Sequence, residues 1–152
     1  MAAASSVAAP IARPSLTFKR RVNASPERVF AAWTDPQKIV RWFGRPDAQA
    51  ETLRAEADVR VGGRFRFSFS TASEYYEVAG VYRKVVPSRC LVFSWAWHST
   101  PERESQVTVA LQADGNGTLL TLHHEQLFDE AARDGHARGW TVGLERMEKL
   151  LA

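Results

Sequence analysis

Any chemistry in this chain would have to come from a few polar residues set among apolar ones, and His124 is the first of them. Alternation along residues 118–125 puts His124 on one face with Leu120 and Leu122. An inward imidazole can hydrogen-bond a bound carbonyl or phenol, or carry a proton near neutral pH. The commoner fate of a lone inward histidine is to be satisfied by a backbone carbonyl or a neighbouring hydroxyl. Tyr82 offers a second polar handle on the same side. If the chain is an enzyme, His124 and Tyr82 are the pair to carry catalysis. No nucleophile with a base and a third orienting group is readable, so no catalytic residue is assigned outright. Ser94 lies on the opposite phase from Trp95 and is expected to face out.

Other polar clusters suggest less. His123 and Glu125 point outward together, but two candidate ligands without a third do not make a zinc site, and neither metal nor cofactor is expected. His98 and His136 stand alone, and His136, opening the last helix, is expected to serve packing or capping. The single cysteine, Cys90, excludes an internal disulfide and a thiolate cluster. Lys19, Arg20, Arg21, Arg60, Arg64, Arg66, Arg83 and Lys84 alternate with apolar residues and mix with Glu51, Glu56, Asp58 and Glu77. That is the wet face of a half-buried sheet rather than a nucleic-acid surface. A net charge of +3 permits an anionic partner without demanding one.

The apolar residues say more. Five Trp and eight Phe make the chain aromatic-rich, and each buries a large area, so a few of them shape the interior. Phe65, Phe67, Phe69, Trp95, Trp97 and Trp140 are expected to face inward, with Trp42 and Phe43 at the mouth. Such a set either fills a core or walls a pocket for an apolar molecule, since pockets are mostly hydrophobic with a few placed polar groups. The expected ligand-binding residues are these eight with Tyr82, His124 and Gly139. The expected partner is a small apolar molecule or lipid, with a protein partner as the alternative.

The elements that must position these residues follow from local signals. At 152 residues the chain can bury roughly two-thirds of its unfolded surface. Residues 1–15, rich in Ala and Ser with Pro10 and Pro14, are expected to form a disordered leader without the marks of a secretory signal. A single domain is then expected over 16–152, with no membrane span and a cytoplasmic location. A first strand is expected at Leu16–Val22. Ser25-Pro26 opens a short helix through Val29, Phe30 and Trp33, and Asp35-Pro36 opens a second through Ile39, Val40 and Trp42. Strands are expected at 52–61, 64–70, 74–86 (with a bend at Gly80), 91–98, 106–112 and 118–125. Asp114-Gly115-Asn116-Gly117 is the strongest hairpin signal. A final helix, capped by Asp134, carries Trp140, Leu144, Met147 and Leu151 on one stripe. Gly135, Gly139 and Gly143 form a second row, which implies either a close neighbour or space kept open beside it.

The phrase Ser25-Pro26-Glu27-Arg28-Val29-Phe30-Ala31-Ala32-Trp33-Thr34-Asp35-Pro36 resembles the opening of START-like (SRPBCC) proteins, in the branch homologous to the activator of heat-shock protein 90 ATPase. Gly62-Gly63-Arg64-Phe65, Gly80-Val81-Tyr82, Leu91-Val92-Phe93-Ser94-Trp95, Leu120-Thr121-Leu122 with His124, and His136 with Gly139-Trp140 match further, in the same order. The resemblance implies an α+β helix-grip fold, a curved antiparallel β-sheet wrapped around a long C-terminal helix with two short helices after strand one. It also implies a cavity between sheet and helix. For function it implies a non-enzymatic binder of a small hydrophobic or lipid-like ligand. Alternatives are a co-chaperone-like or stress-linked protein-interaction module, and a cyclase- or hydrolase-like enzyme on the same fold. The chain departs from the family at Lys84, where an acidic residue is usual, and at 71–74, where an Asp-Gly type turn is usual. No second domain like that of the eukaryotic co-chaperone is expected.

Overall fold

A computed structural model describes residues 13–152. Of the expected leader, residues 1–12 lie outside the described residues, and Arg13, Pro14 and Ser15 have no regular structure. The elements run β1 (Leu16–Val22), α1 (Pro26–Thr34), α2 (Pro36–Ile39), β2 (Arg54–Ala57), β3 (Arg64–Ser70), β4 (Tyr75–Val86), β5 (Cys90–Trp97), β6 (Ser105–Asp114), β7 (Gly117–Glu125) and α3 (Glu130–Leu151). The strands form one antiparallel sheet in the order β1-β7-β6-β5-β4-β3-β2. No helix among the described residues is long and apolar enough to cross a membrane.

Local chemistry accounts for the starts of the helices. The Ser25 hydroxyl accepts the Arg28 N–H at 3.3 Å, with Pro26 in the first helical position, where a missing N–H costs nothing. The Asp35 carboxylate accepts the Gln37 N–H at 2.9 Å and opens α2. α2 is shorter than expected: it ends at Ile39, and Trp42 lies beyond it with its indole N–H donated to the Ala32 carbonyl at 2.7 Å. The cap of α3 is Asp129, not Asp134, its carboxylate accepting the Ala132 N–H at 2.8 Å. Glu130, Ala131, Ala132 and Arg133 are strong helix formers and carry the helix back past Asp134.

Two strands differ from expectation. Residues 50–52 form a 3₁₀ turn, and β2 is only Arg54–Ala57, because Asp58 turns the chain early by pairing its N–H with the Arg64 carbonyl at 2.9 Å. β4 is irregular from Gly80, where a Cβ would stand 1.9 Å from the Ser94 carbonyl oxygen, so only glycine permits this approach of β5. The register itself slips later, between Tyr82 and Lys84. Ser94, expected to face out, is buried, because its hydroxyl takes the Val81 N–H at 2.8 Å where the ladder is broken. The β6–β7 hairpin closes at Asp114 and Gly117, with Gly115 at φ +60°.

The core lies between the concave face of the sheet and α3. Trp140, Leu144, Met147 and Leu151 of α3 are buried, facing a sheet interior that includes Phe93, Val107, Val109, Leu120 and Leu122. The short helices close one end. An Arg20–Glu148 ion pair at 2.8 Å ties α3 to the edge strand β1.

Candidate ligand cavity

Beside this core a cavity of about 340 Å³ remains, open on one side, which falls at the small end of the range for ligand pockets. The segment after α2 supplies Trp42, Phe43, Gly44 and Arg45; β3 supplies Phe69, β4 Tyr76, and β5 Trp95 and Trp97. Ser99 and Thr100 follow β5 at the rim, and α3 contributes Ala132, Gly135, His136, Gly139, Trp140 and Gly143.

The glycine row of α3 does both things the sequence allowed. At Gly143 a Cβ would lie 3.4 Å from the Trp42 ring, so glycine there admits a close neighbour. At Gly139 a Cβ would meet nothing within 4 Å, and at Gly135 only the Arg138 guanidinium at 3.8 Å. The empty stretch of the row is cavity wall.

Of the eleven expected site residues, Trp42, Phe43, Phe69, Trp95, Trp97, Gly139 and Trp140 line the cavity; Phe65, Phe67, Tyr82 and His124 do not. Phe67 stands behind Phe43 at a ring separation of 5.3 Å. Phe65 packs between Phe67, Phe93 and Tyr82 at 4.8, 5.2 and 5.6 Å. Register separates Tyr82 from His124: the row Tyr82–Phe93–Val107–His124 crosses three strand spacings, about 14 Å. Burial, and then nearby Asp58, push the Tyr82 phenol up, so it stays a neutral core residue.

His124 is fully enclosed, and both its nitrogens are taken. The Trp140 indole donates to Nδ1 at 3.0 Å, which leaves the proton on Nε2, 2.8 Å from the Ser105 hydroxyl. Ser105 donates in turn to the Trp95 carbonyl at 3.2 Å. Burial, reinforced by His136 and His123, pushes the His124 pKa down to about 2. Its role in this structure is to hold two cavity tryptophans, Trp140 directly and Trp95 through Ser105. Ser105→Ala would strand the Nε2–H in the core, and an unpaired buried donor costs about 1–3 kcal/mol. Thermal unfolding of that variant should show a lower Tm with secondary structure intact.

His136, expected from the sequence to serve packing or capping, belongs to the cavity wall. Its Nε2 accepts the Trp97 indole N–H at 2.9 Å, and its Nδ1–H donates to the Ala132 carbonyl at 2.7 Å. Burial lowers its pKa against the opposing pull of that carbonyl. The His124 and His136 rings meet edge to face at 4.8 Å. Helical spacing was an available signal, since His136 shares a face with Gly139 and Trp140. The rim residues Arg45, Tyr76, Ser99 and Thr100 were missed. Arg45 binds both oxygens of Asp47 at 3.0 and 3.2 Å and donates to the Tyr76 hydroxyl at 2.9 Å. On the outer face, His123 and Glu125 approach to 3.9 Å, and no three metal-ligating side chains cluster among the described residues.

An antiparallel sheet curved round a long C-terminal helix, with two short helices after the first strand, defines the helix-grip class of α+β proteins. The model of the family described as "Activator of Hsp90 ATPase homolog 1-like protein" matches residues 23–152, and the chain belongs to that family. Solved structures agree in fold. A protein from Chromobacterium violaceum superposes with a TM-score of 0.79 at 21% identity, over 90% of this chain and 96% of that one. The AHSA1 protein from Silicibacter pomeroyi gives 0.75 at 26% identity, over 91% and 97%. CalU16 from Micromonospora echinospora gives 0.67 at 27% identity, over 91% and 76%. No curated protein matches the chain.

Proposed function

We propose that this protein binds one small hydrophobic molecule, without chemical turnover, in the cavity between the sheet and α3. The observation that carries the reading is the 340 Å³ space itself, left beside a closely packed core and walled chiefly by aromatic rings and a glycine-bearing helix face. An apolar recess open on one side, with a few polar groups at its rim, is the form that small-molecule sites take. Membership of a family that commonly binds hydrophobic ligands points the same way. The polar groups best suited to catalysis support binding instead, because His124 and His136 have both ring nitrogens engaged by protein atoms.

Amide-correlation NMR on nitrogen-labelled protein tests this directly, with the five tryptophan indole N–H signals as reporters. Titration with fatty acids, flavonoids and small polyketides should give saturable shifts at the Trp95, Trp97 and Trp140 indoles. A dispersed spectrum that stays silent across the panel would remove the small-molecule reading and leave a protein partner as the function to pursue.

A further inference from the structure

The chain enters the fold beside the mouth of the cavity. The Leu127 N–H donates to the Pro14 carbonyl at 3.1 Å, and the Arg13 guanidinium lies over the Phe128 ring, 5.9 Å from its centroid. Arg103 stacks on the same ring at 3.9 Å, and its backbone N–H donates to the carbonyl of the rim residue Thr100 at 2.9 Å. Asp129, next after Phe128, caps α3 at Ala132, which belongs to the cavity wall. Arg13, Phe128, Thr100 and Ala132 are thus linked through short contacts at one end of the opening, and the Phe128 ring is left exposed there.

Residues 1–12 arrive at this end and carry no charged side chain. Ile11 stands two residues and Val7 six residues before Arg13, so at about 3.3 Å per residue they reach about 7 and 20 Å from it. α3 lines the cavity from Ala132 to Gly143, about 16 Å along the helix, which Val7 can therefore span. The wall admits side chains rather than backbone. Inside, the Trp42, Trp97 and Trp140 indole N–H groups are spent on Ala32, His136 and His124, and a peptide group pushed among them would be left unpaired. At the rim a peptide carbonyl finds donors. Arg45 keeps two of its five N–H groups, and Ser99 and Thr100 offer hydroxyls. The Arg138 guanidinium lies at Gly135, and that of Arg146 donates to the Gly44 and Arg45 carbonyls at 3.4 and 3.5 Å. Asp47 and Glu74 stand among these three guanidiniums, and an uncharged segment is repelled by neither sign. Pro10 has no N–H to lose on the way in.

We propose that residues 1–12 fold back across the mouth and place the Val7 and Ile11 side chains in the cavity, in competition with the small molecule. The proposal rests on the binding reading above. The tether makes up for a weak fit: a short flexible link gives an effective concentration of about millimolar, so even a millimolar contact holds the mouth for half of the time. Ligand affinity then falls in proportion to the share of chains whose cavity is free. A nitroxide attached through Ser5→Cys, in the full chain with Cys90→Ser, reports the position of the segment by line broadening. The Trp97 indole and the Gly139 amide should broaden together with the Phe128 amide. Adding Val7→Asp and Ile11→Asp should remove the broadening at Trp97 and Gly139 and keep it at Phe128, where the chain stays attached. Without the label, the same double substitution should tighten naphthalene binding by about threefold or more, read at the indole signals. Broadening confined to the Phe128 side, or a naphthalene affinity unchanged by the double substitution, overturns the proposal and leaves the binding reading standing. If Trp97 and Gly139 broaden while naphthalene and the panel above move the indoles of neither protein, the segment is the occupant and the small-molecule reading falls.

Discussion

Gly139→Leu yields a protein that is more stable than the parent and no longer binds its ligand. Most substitutions that abolish binding also damage the fold, so the opposite signs make this result diagnostic. Gly139 lies in mid-helix, where glycine costs about 1 kcal/mol relative to a good helix former. Its missing side chain faces space with nothing within 4 Å, so leucine enters without a clash and buries part of its surface on the aromatic wall. The net gain should be about 1–2 kcal/mol, or a Tm higher by about 3–6 °C for a domain of this size. The same four carbons occupy the space proposed for the ligand, and saturable binding should disappear. Gly143→Leu is the internal control: its side chain would drive into the Trp42 ring, 3.4 Å from the Cβ position, and overpacking of that kind costs about 1–3 kcal/mol. Unchanged affinity in Gly139→Leu would place the binding site elsewhere. A fall in Tm would mean that the space beside Gly139 is filled in solution.

The same two glycines show what the sequence could reveal and where it stopped. A four-residue spacing says that 135, 139 and 143 share one helix face, and alternation says that Phe65, Phe67 and Phe69 share one sheet face. Neither period says how far along a face the cavity extends. Only Phe69 reaches it, because the cavity lies toward one end of β3, while Phe65 is spent on Tyr82 and Phe93. Strand and helix starts were legible where a side chain caps its own neighbour, as Ser25 does. The rim was not legible, since Arg45, Ser99 and Thr100 sit in connecting segments without periodicity, and Trp97 finds His136 across 39 positions of chain. His124, whose commoner fate is to be satisfied by a neighbouring hydroxyl, meets Ser105 as that reading expects, and it also accepts the Trp140 indole N–H, which no sequence pattern announced. Only the three-dimensional pairing shows that second role.

Because two cavity tryptophans are hung on neutral imidazoles, acid should destabilise this protein sooner than its carboxylates alone would. An unfolded histidine titrates near 6.5, whereas folded His124 stays neutral down to about 2. Below 6.5 the unfolded chain takes up a proton that the folded chain refuses, so the stabilisation is complete above 6.5 and erodes steadily as the pH falls toward the folded value. Between pH 7 and pH 5 this amounts to about 2 kcal/mol from His124, and His136, shifted in the same direction, adds to it. Urea unfolding at the two pH values measures the loss, and His124→Asn isolates it: the asparagine carbonyl can still accept the Trp140 N–H but has no proton to gain in this range. The variant should start less stable and lose about 2 kcal/mol less over the interval. Equal losses in parent and variant would show that His124 is hydrated or charged in the folded protein, and the Trp140–His124 pair would then not be what holds the cavity wall. The Trp140 indole signal should hold its position between pH 7 and pH 5 in the folded protein, since its acceptor His124 stays neutral there. Ligand affinity of the folded protein should then hold over the same interval, because the Trp140 ring in the aromatic wall keeps the neutral imidazole that holds it in place.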